Sequence, residues 1–134
     1  MHIAILTFEG FNELDSLVAL NILNRVKAPG RRVTVCGPAS EVTSMNGLAV
    51  RTQSALEDAA EADAVIVGSG TRTRDVVASP ALMDRLRLDP RRQLVAAQCS
   101  GALILARLGL LQDVPACTDL TTRPWVQEAG VQVL

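Results

Sequence analysis

VAAQCSGALI, Val95 to Ile104, runs from a β-branched and alanine stretch through Gln98-Cys99-Ser100-Gly101 into residues that favour helix. Cys99 is either a nucleophile poised on a strand-to-helix corner or a small buried hydrophobe at a strand end, since free cysteine is among the most buried residue types. The small residues Ser100-Gly101-Ala102 let the backbone turn sharply and leave the sulfur exposed, as in strand-turn-helix nucleophile elbows. A thiolate at a helix N-terminus also meets unpaired amide donors and the positive end of the helix dipole, both expected to lower its pKa. The corner reading is therefore adopted. A cysteine nucleophile usually works with a histidine, however, and the only histidine in the chain is His2.

Around this corner, short apolar runs alternate with segments of helical period, the pattern of a sheet with helices on both faces. His2 to Thr7 reads as a continuous apolar first strand suited to a central parallel position. Leu14, Leu17, Val18, Asn21, Ile22 and Arg25 recur at helical spacing and predict a helix to about Lys27, stopped by Pro29-Gly30. Arg32 to Cys36 is a second strand, and Asn46-Gly47 marks a tight hairpin outside the main sheet. Ser54-Ala55-Leu56-Glu57 has capping-box spacing and opens a short helix. Ala64 to Val67 is another buried strand ending in Gly68-Ser69-Gly70. Helical pieces are expected at 71–77 and 80–86, with Pro80 at a first helical position. Gln93 to Gln98 is the strand before the elbow and 101–108 the helix after it. Ala116 to Thr118 reads as extended, 122–129 as helix and 131–134 as the start of a strand. The expected fold is α/β, a doubly wound, mostly parallel sheet sandwiched by helices, in one domain over residues 1–134.

Bulk properties agree. The 134 residues suit one domain with a single core. Nearly half are hydrophobic and a fifth charged, which excludes a disordered chain. Thirteen basic residues are balanced by fourteen acidic ones, so no basic face for nucleic acid is expected. No apolar run reaches the length of a membrane span, and MHIAILTFEG lacks the basic start of a secretory signal. The unpatterned Cys36, Cys99 and Cys117 suggest reduced thiols in the cytoplasm, with neither disulfides nor a metal site. Cys36 is expected in the core, Cys117 under the corner, and Trp125 in packing.

Ligands of open parallel sheets bind outside the carboxyl ends of the strands. Three glycine-bearing loops belong to that edge, 8–13, 68–71 and 98–101. They should gather Asp15, the Gly68-Ser69-Gly70 backbone and Cys99 around one cleft. An acid in a first helical turn ordinarily complements the dipole and needs no function. At this edge Asp15 could also bond the sulfur and shuttle a proton. Gly70 and Ser100 are candidates to offer N–H groups to a developing anion.

The order FEGFNELD, DAVIVGSG, VAAQCSGALILARLGLL and ACTDL resembles the ThiJ/PfpI superfamily, with its class I glutamine amidotransferase-like, flavodoxin-like fold. The resemblance runs over the whole chain and is most specific at the elbow with its trailing A-x-x-G-L-L. Within the superfamily the chain is most similar to the isonitrile hydratase branch and to ligand-sensing domains of some transcription regulators. Members normally continue for another strand, a glycine-rich turn and one or two helices, so a C-terminal part is expected to be missing here. If nothing covers that face of the sheet, an apolar patch would be exposed.

The resemblance implies Cys99 as nucleophile, Asp15 as the acid that contacts it, and Gly70 and Ser100 as oxyanion donors. Where many members have a proline and two glycines, this chain has Gly68-Ser69-Gly70, so Ser69 adds a hydroxyl beside the substrate. Where many have Thr-Thr-His, it has Cys117-Thr118-Asp119, and Asp119 is expected to be a rim group or a solvated turn residue. Loss of that histidine disfavours a peptidase. The implied activity is hydration of a small isonitrile to an N-substituted formamide, without cofactor or metal, by a cytoplasmic homodimer. The alternatives are a non-catalytic ligand- or redox-sensing domain and a glyoxalase or deglycase-like activity on dicarbonyls.

Overall fold

The computed structural model describes all 134 residues. Its centre is a five-stranded parallel sheet of β1 (His2–Leu6), β2 (Arg32–Gly37), β5 (Ser54–Ala55), β6 (Ala64–Val67) and β7 (Leu94–Ala97), ordered β5-β2-β1-β6-β7. β1 is wholly buried because it is flanked on both edges, Ile3 facing Val33 on one side and Ala64 on the other. The order reverses at β1, so the loops after β1, β6 and β7 share one carboxyl edge. The expected doubly wound α/β fold is thus what the chain adopts.

Alternation along each strand divides the core in two. Ala4, Leu6, Cys36, Val65 and Val67 face Leu56, Val76, Leu86, Ile104 and Leu105. That layer is built from the short 3-10 helix Leu56–Glu61, α2 (Thr73–Ala78), α3 (Pro80–Met83) and α4 (Gly101–Arg107). Ile3, Ile5, Val33 and Ala64 face the opposite layer, where Ala19, Leu20 and Leu23 cover them. A wide helical turn, Leu14–Val18, leads there into α1 (Ala19–Leu23). Cys36 is fully buried, as expected. Beyond α1 this face is open: Leu94 is 73% exposed on β7.

The first helix ends at Leu23, four residues before the expected stop. The Asn24 amide nitrogen donates to Leu20 O at 3.0 Å, and the Arg31 guanidinium donates to the carbonyls of Leu23 and Val26. Side chains thus satisfy carbonyls that another helical turn would have used. The 3-10 helix also begins later than the capping pattern suggests. Ala55 N–H donates to Asp58 Oδ2 at 3.0 Å, while Ser54 pairs with β2 as part of β5.

The Asn46-Gly47 segment closes an antiparallel ribbon of β3 (Glu41–Thr43) and β4 (Ala49–Arg51), separate from the main sheet. Glu13 anchors it through Ser44 Oγ and through Asn46 Nδ2 at 3.0 Å. Buried Gln93 ties the start of β7 inward, donating to the Ala59 and Ala62 carbonyls at 2.7 Å each. The last helix, α5 (Arg123–Glu128), packs Val126 against Ala102, Leu103, Val131 and Val133. The expected final strand is reduced to one bridge, Ala116 with Val133. No helix is long and apolar enough to cross a membrane.

Candidate functional site

Cys99 sits between β7 and α4 with φ of 47°, one of two non-glycine residues in the left-handed region. That conformation costs an ordinary side chain about 1–2 kcal/mol and concentrates at functional sites. The turn is possible because Gly101 lies against β6: a β-carbon there would stand 2.5 Å from Val67 O and 2.8 Å from Gly68 O. Cys99 is exposed, so the buried-thiol alternative does not hold. Cys117 is exposed as well, contrary to its expected place under the corner.

The three loops meet as expected. Phe11 bridges Gly70, Asn12 N–H donates to Ser69 O at 2.9 Å, and Thr71 N–H donates to Gly10 O at 3.0 Å. Gly70 is required there, because a β-carbon would lie 2.4 Å from Gly10 O. Ser69 Oγ donates to Asp15 Oδ2, which brings the half-buried carboxylate to the Gly68-Ser69-Gly70 turn. Asp15 makes no hydrogen bond to Cys99; the bonded partner of its side chain is Ser69. Gly70 N–H donates to Ser100 Oγ at 3.1 Å, and that buried hydroxyl lies 2.8 Å from Thr73 Oγ1. The Gly70 amide is therefore occupied by a protein acceptor in this structure. Ser100 N–H lies against the Cys99 sulfur.

Asp119 is the carboxylate that reaches the thiol. Cys99 Sγ donates to Asp119 Oδ2 at 3.1 Å, and Thr118 Oγ1 donates to Cys99 O at 3.0 Å. The second Asp119 oxygen, Oδ1, accepts from Thr121 N at 2.8 Å, from Thr121 Oγ1 and from Thr122 N at 3.0 Å. This is an Asx-type turn leading into α5. It places Asp119 on the nucleophile itself, so Asp119 is neither a mere rim group nor a solvated turn residue. The Asp-Leu-Thr-Thr-Arg-Pro run signals a helix start, with Pro124 in the first turn, but does not reveal where the free oxygen points.

These contacts reverse the expected electrostatics. Partial burial pushes the Cys99 thiol above its ordinary pKa, and the hydrogen bond and charge of Asp119 push it further. The N–H groups of Ser100 and Asp119 oppose this without overcoming it. Burial also pushes the Asp119 carboxyl upward, but hydrogen bonds from Thr121, Thr122 and Cys99 hold it well below the usual carboxylate range. The resting site is thus a thiol facing a carboxylate, not the thiolate that the helix dipole alone suggested.

His2 is far from this chemistry. Buried at the amino end of β1, it places Nε2 2.7 Å from Thr34 Oγ1, and burial lowers its pKa. No group of three His, Cys, Asp or Glu side chains is placed to hold a metal ion. The recess lined by Phe8, Phe11 and Gly68-Ser69-Gly70 is about 10 Å³. A larger groove, about 660 Å³, lies elsewhere, between α2, α4 and α5. There Arg74 stacks 4.4 Å from the centre of the Trp125 ring, so the tryptophan lines a surface groove besides packing.

The sequence profile of the DJ-1/PfpI family matches residues 1–134. No curated protein matches the chain. Among solved structures, a ThiJ/PfpI family protein from Pseudomonas syringae superposes with a TM-score of 0.83 at 21% identity. The match covers 98% of this chain and 55% of that one, so the chain spans about half the length of that relative. Drosophila melanogaster DJ-1beta superposes with a TM-score of 0.81 at 20% identity, over 99% of this chain and 73% of its own. An AraC family transcriptional regulator from Pseudomonas putida gives 0.78 at 19% identity, over 99% of this chain and 75% of its own. At these identities the likeness speaks for the fold.

Proposed function

We propose that this chain, which belongs to the DJ-1/PfpI family, is a cysteine-dependent enzyme that hydrates a small isonitrile to an N-substituted formamide. The observation that carries this reading is an exposed cysteine on a left-handed corner whose side-chain partner is a carboxylate and not an imidazole. Acyl transfer from amides by a cysteine commonly uses an imidazole to protonate the leaving amine. Isonitrile hydration expels no amine, and needs only sulfur addition, proton transfers and water.

The terminal carbon of the isonitrile accepts the sulfur and a proton, giving a thioimidate. Water adds to that carbon, the C–S bond breaks, and the formamide leaves as the thiol is restored. Asp15, bonded to Ser69, would relay protons between water and the substrate nitrogen. Gly70 would donate to charge developing on the substrate once Ser100 Oγ releases it. The three unpaired cysteines suit the reducing conditions of a cytoplasm. Offered cyclohexyl isonitrile and methylglyoxal in parallel, the protein is expected to yield N-cyclohexylformamide and to leave the dicarbonyl unchanged. The reverse preference would assign a glyoxalase-like activity, and turnover of neither would sink both enzymatic readings.

A second reading has its own support. The raised thiol pKa and the likeness to an AraC family regulator suit a ligand-sensing domain in which Cys99 binds without turnover. In that case saturable isonitrile binding would be found with no formamide formed.

The same proposal includes a homodimer. Leu14, Val18 and Ile22 are spaced by four residues along the first helical segment, Val26 follows just beyond its end, and all are exposed. Met45 and Leu48, in the turn of the ribbon that Glu13 holds, are exposed as well. Exposed apolar side chains gathered on one element mark an interaction site, and a twofold axis would bury them against a second copy. Ile22→Asp is expected to turn a dimer into a monomer by light scattering with little change in thermal stability. A monomeric unmodified protein would refute the interface.

A further inference from the structure

We propose that Cys99 and Asp119 form a thiol–carboxylate dyad in which Asp119 Oδ2 accepts the hydrogen bond of the thiol at rest and takes its proton as the sulfur attacks. The inference rests on the hydration reading for its chemistry, while its geometry stands independently. A residue that only shaped the turn before α5 would need Oδ1 alone, which already accepts from Thr121 N, Thr121 Oγ1 and Thr122 N. Oδ2 contributes nothing to that turn. It accepts from the Cys99 sulfur at 3.1 Å.

Both partners are held in place. The three donors on Oδ1 fix the carboxylate plane, so Oδ2 is aimed before any substrate arrives. The left-handed corner sets the direction of the Cys99 side chain, and Thr118, one residue before Asp119, holds the Cys99 carbonyl at 3.0 Å. The segment 118–119 therefore grips the nucleophile at two points. Asp15 is the other acid of the cleft, and Ser69 occupies its Oδ2. No Lys, Arg or His side chain forms an ion pair with either Asp15 or Asp119.

The step balances without another reagent. As the S–C bond forms, the proton passes from sulfur to Asp119 Oδ2 and on to the former isonitrile carbon, which leaves the thioimidate neutral. When the hydrated adduct collapses, one proton of the added water stays on nitrogen and the other returns to sulfur. The pKa directions agree with a proton that rests on sulfur: the thiol lies above its ordinary value and the carboxyl below its own. A neutral resting thiol gives selectivity, because it reacts slowly with electrophiles that do not accept the proton as well.

Asp119→Asn is the decisive variant. Its amide oxygen still accepts from Thr121 and Thr122, so the turn survives, while the charge and the acceptor at the sulfur are lost. Two readouts should then move in opposite directions. Isonitrile turnover should fall about 100-fold, the scale of a lost general base. Alkylation of Cys99 by iodoacetamide at neutral pH should rise at least about threefold, because the thiol pKa falls. Cys99 and Cys117 lie in different tryptic peptides, Gln93 to Arg107 and Leu108 to Leu134, since the Arg123-Pro124 bond resists trypsin, so mass spectrometry separates them.

If both readouts fall together, or if turnover is unchanged, the dyad is wrong. If the unmodified protein turns over no isonitrile, the hydration reading fails and the alkylation profile alone decides. Faster alkylation in Asp119→Asn then upholds the thiol–carboxylate contact, and equal or slower alkylation overturns it. Should the Asn variant not fold, Asp119→His takes its place. It is expected to introduce a new limb near pH 6.5 in the Cys99 alkylation profile, the ordinary imidazole range; a profile without that limb overturns the dyad.

Discussion

Replacing Cys99 by alanine is expected to abolish formamide production, by on the order of 10³-fold or more, and to leave the fold intact. The fold should survive because the thiol is exposed and contributes little to the core. Alanine still has to adopt the left-handed corner, so the local strain is unchanged. Alkylation of Cys99 by iodoacetamide in the unmodified protein should also climb with pH into the alkaline range. Burial and then Asp119 raise the Cys99 pKa, so the thiolate that this reagent needs grows as pH passes the ordinary cysteine value of about 8.5. Formamide production and circular dichroism of Cys99→Ala, with the alkylation rate of the unmodified protein measured against pH, check these statements. Turnover surviving in Cys99→Ala would move the chemistry to another residue and remove the corner from the site.

Much of this site was legible in the sequence because it depends on residue size and sign. The Gly68-Ser69-Gly70 turn and the Ser100-Gly101-Ala102 corner are small for a steric reason, and the close approaches at Gly70 and Gly101 supply it. The central parallel place of the first strand followed from its continuous apolar run, and the shared carboxyl edge of the three loops from a parallel sheet, while the strand order itself is seen only in the structure. The direction of hydrogen bonds was not legible. Asp15 and Asp119 are both acids in first-turn or turn positions, and nothing in their neighbours says which one meets the sulfur. Three-dimensional placement decides it: Ser69 takes Asp15, and the anchored turn 119–122 delivers Asp119.

The sign of the Cys99 shift was missed for the same reason. A helix N-terminus lowers a thiol pKa only when neither burial nor a nearby anion outweighs it, and here partial burial acts first and Asp119 adds to it. α4 offers the sulfur the Ser100 amide, whereas Asp119 brings a full charge to hydrogen-bonding distance. Helix ends were also placed imperfectly, because side chains such as Asn24 and Arg31 capture carbonyls that periodicity alone assigns to another turn.

Gly101→Ala is expected to destabilise the fold strongly. The added methyl would meet Val67 O at 2.5 Å and Gly68 O at 2.8 Å, and both are backbone atoms. A flexible side chain could swing away, but these carbonyls are fixed by their strand: Val67 O accepts from Gln98 N at 2.9 Å. Relief therefore requires α4 to move off β6, which would loosen the packing of the buried Ile104 and Leu105. Overpacking against rigid backbone costs about 3 kcal/mol, which lowers the melting temperature of a chain this size by roughly 10 °C.

Gly30→Ala supplies the comparison. Gly30 adopts φ of +69° with no atom within 4 Å of an added β-carbon, so only conformational strain of about 1 kcal/mol applies. Thermal unfolding of the two variants should rank Gly101→Ala clearly below Gly30→Ala. Equal melting temperatures would mean that α4 is free to shift. Cys99 would then have no fixed position relative to Asp119, because the same glycine contact that sets the helix against β6 sets the corner from which the sulfur projects.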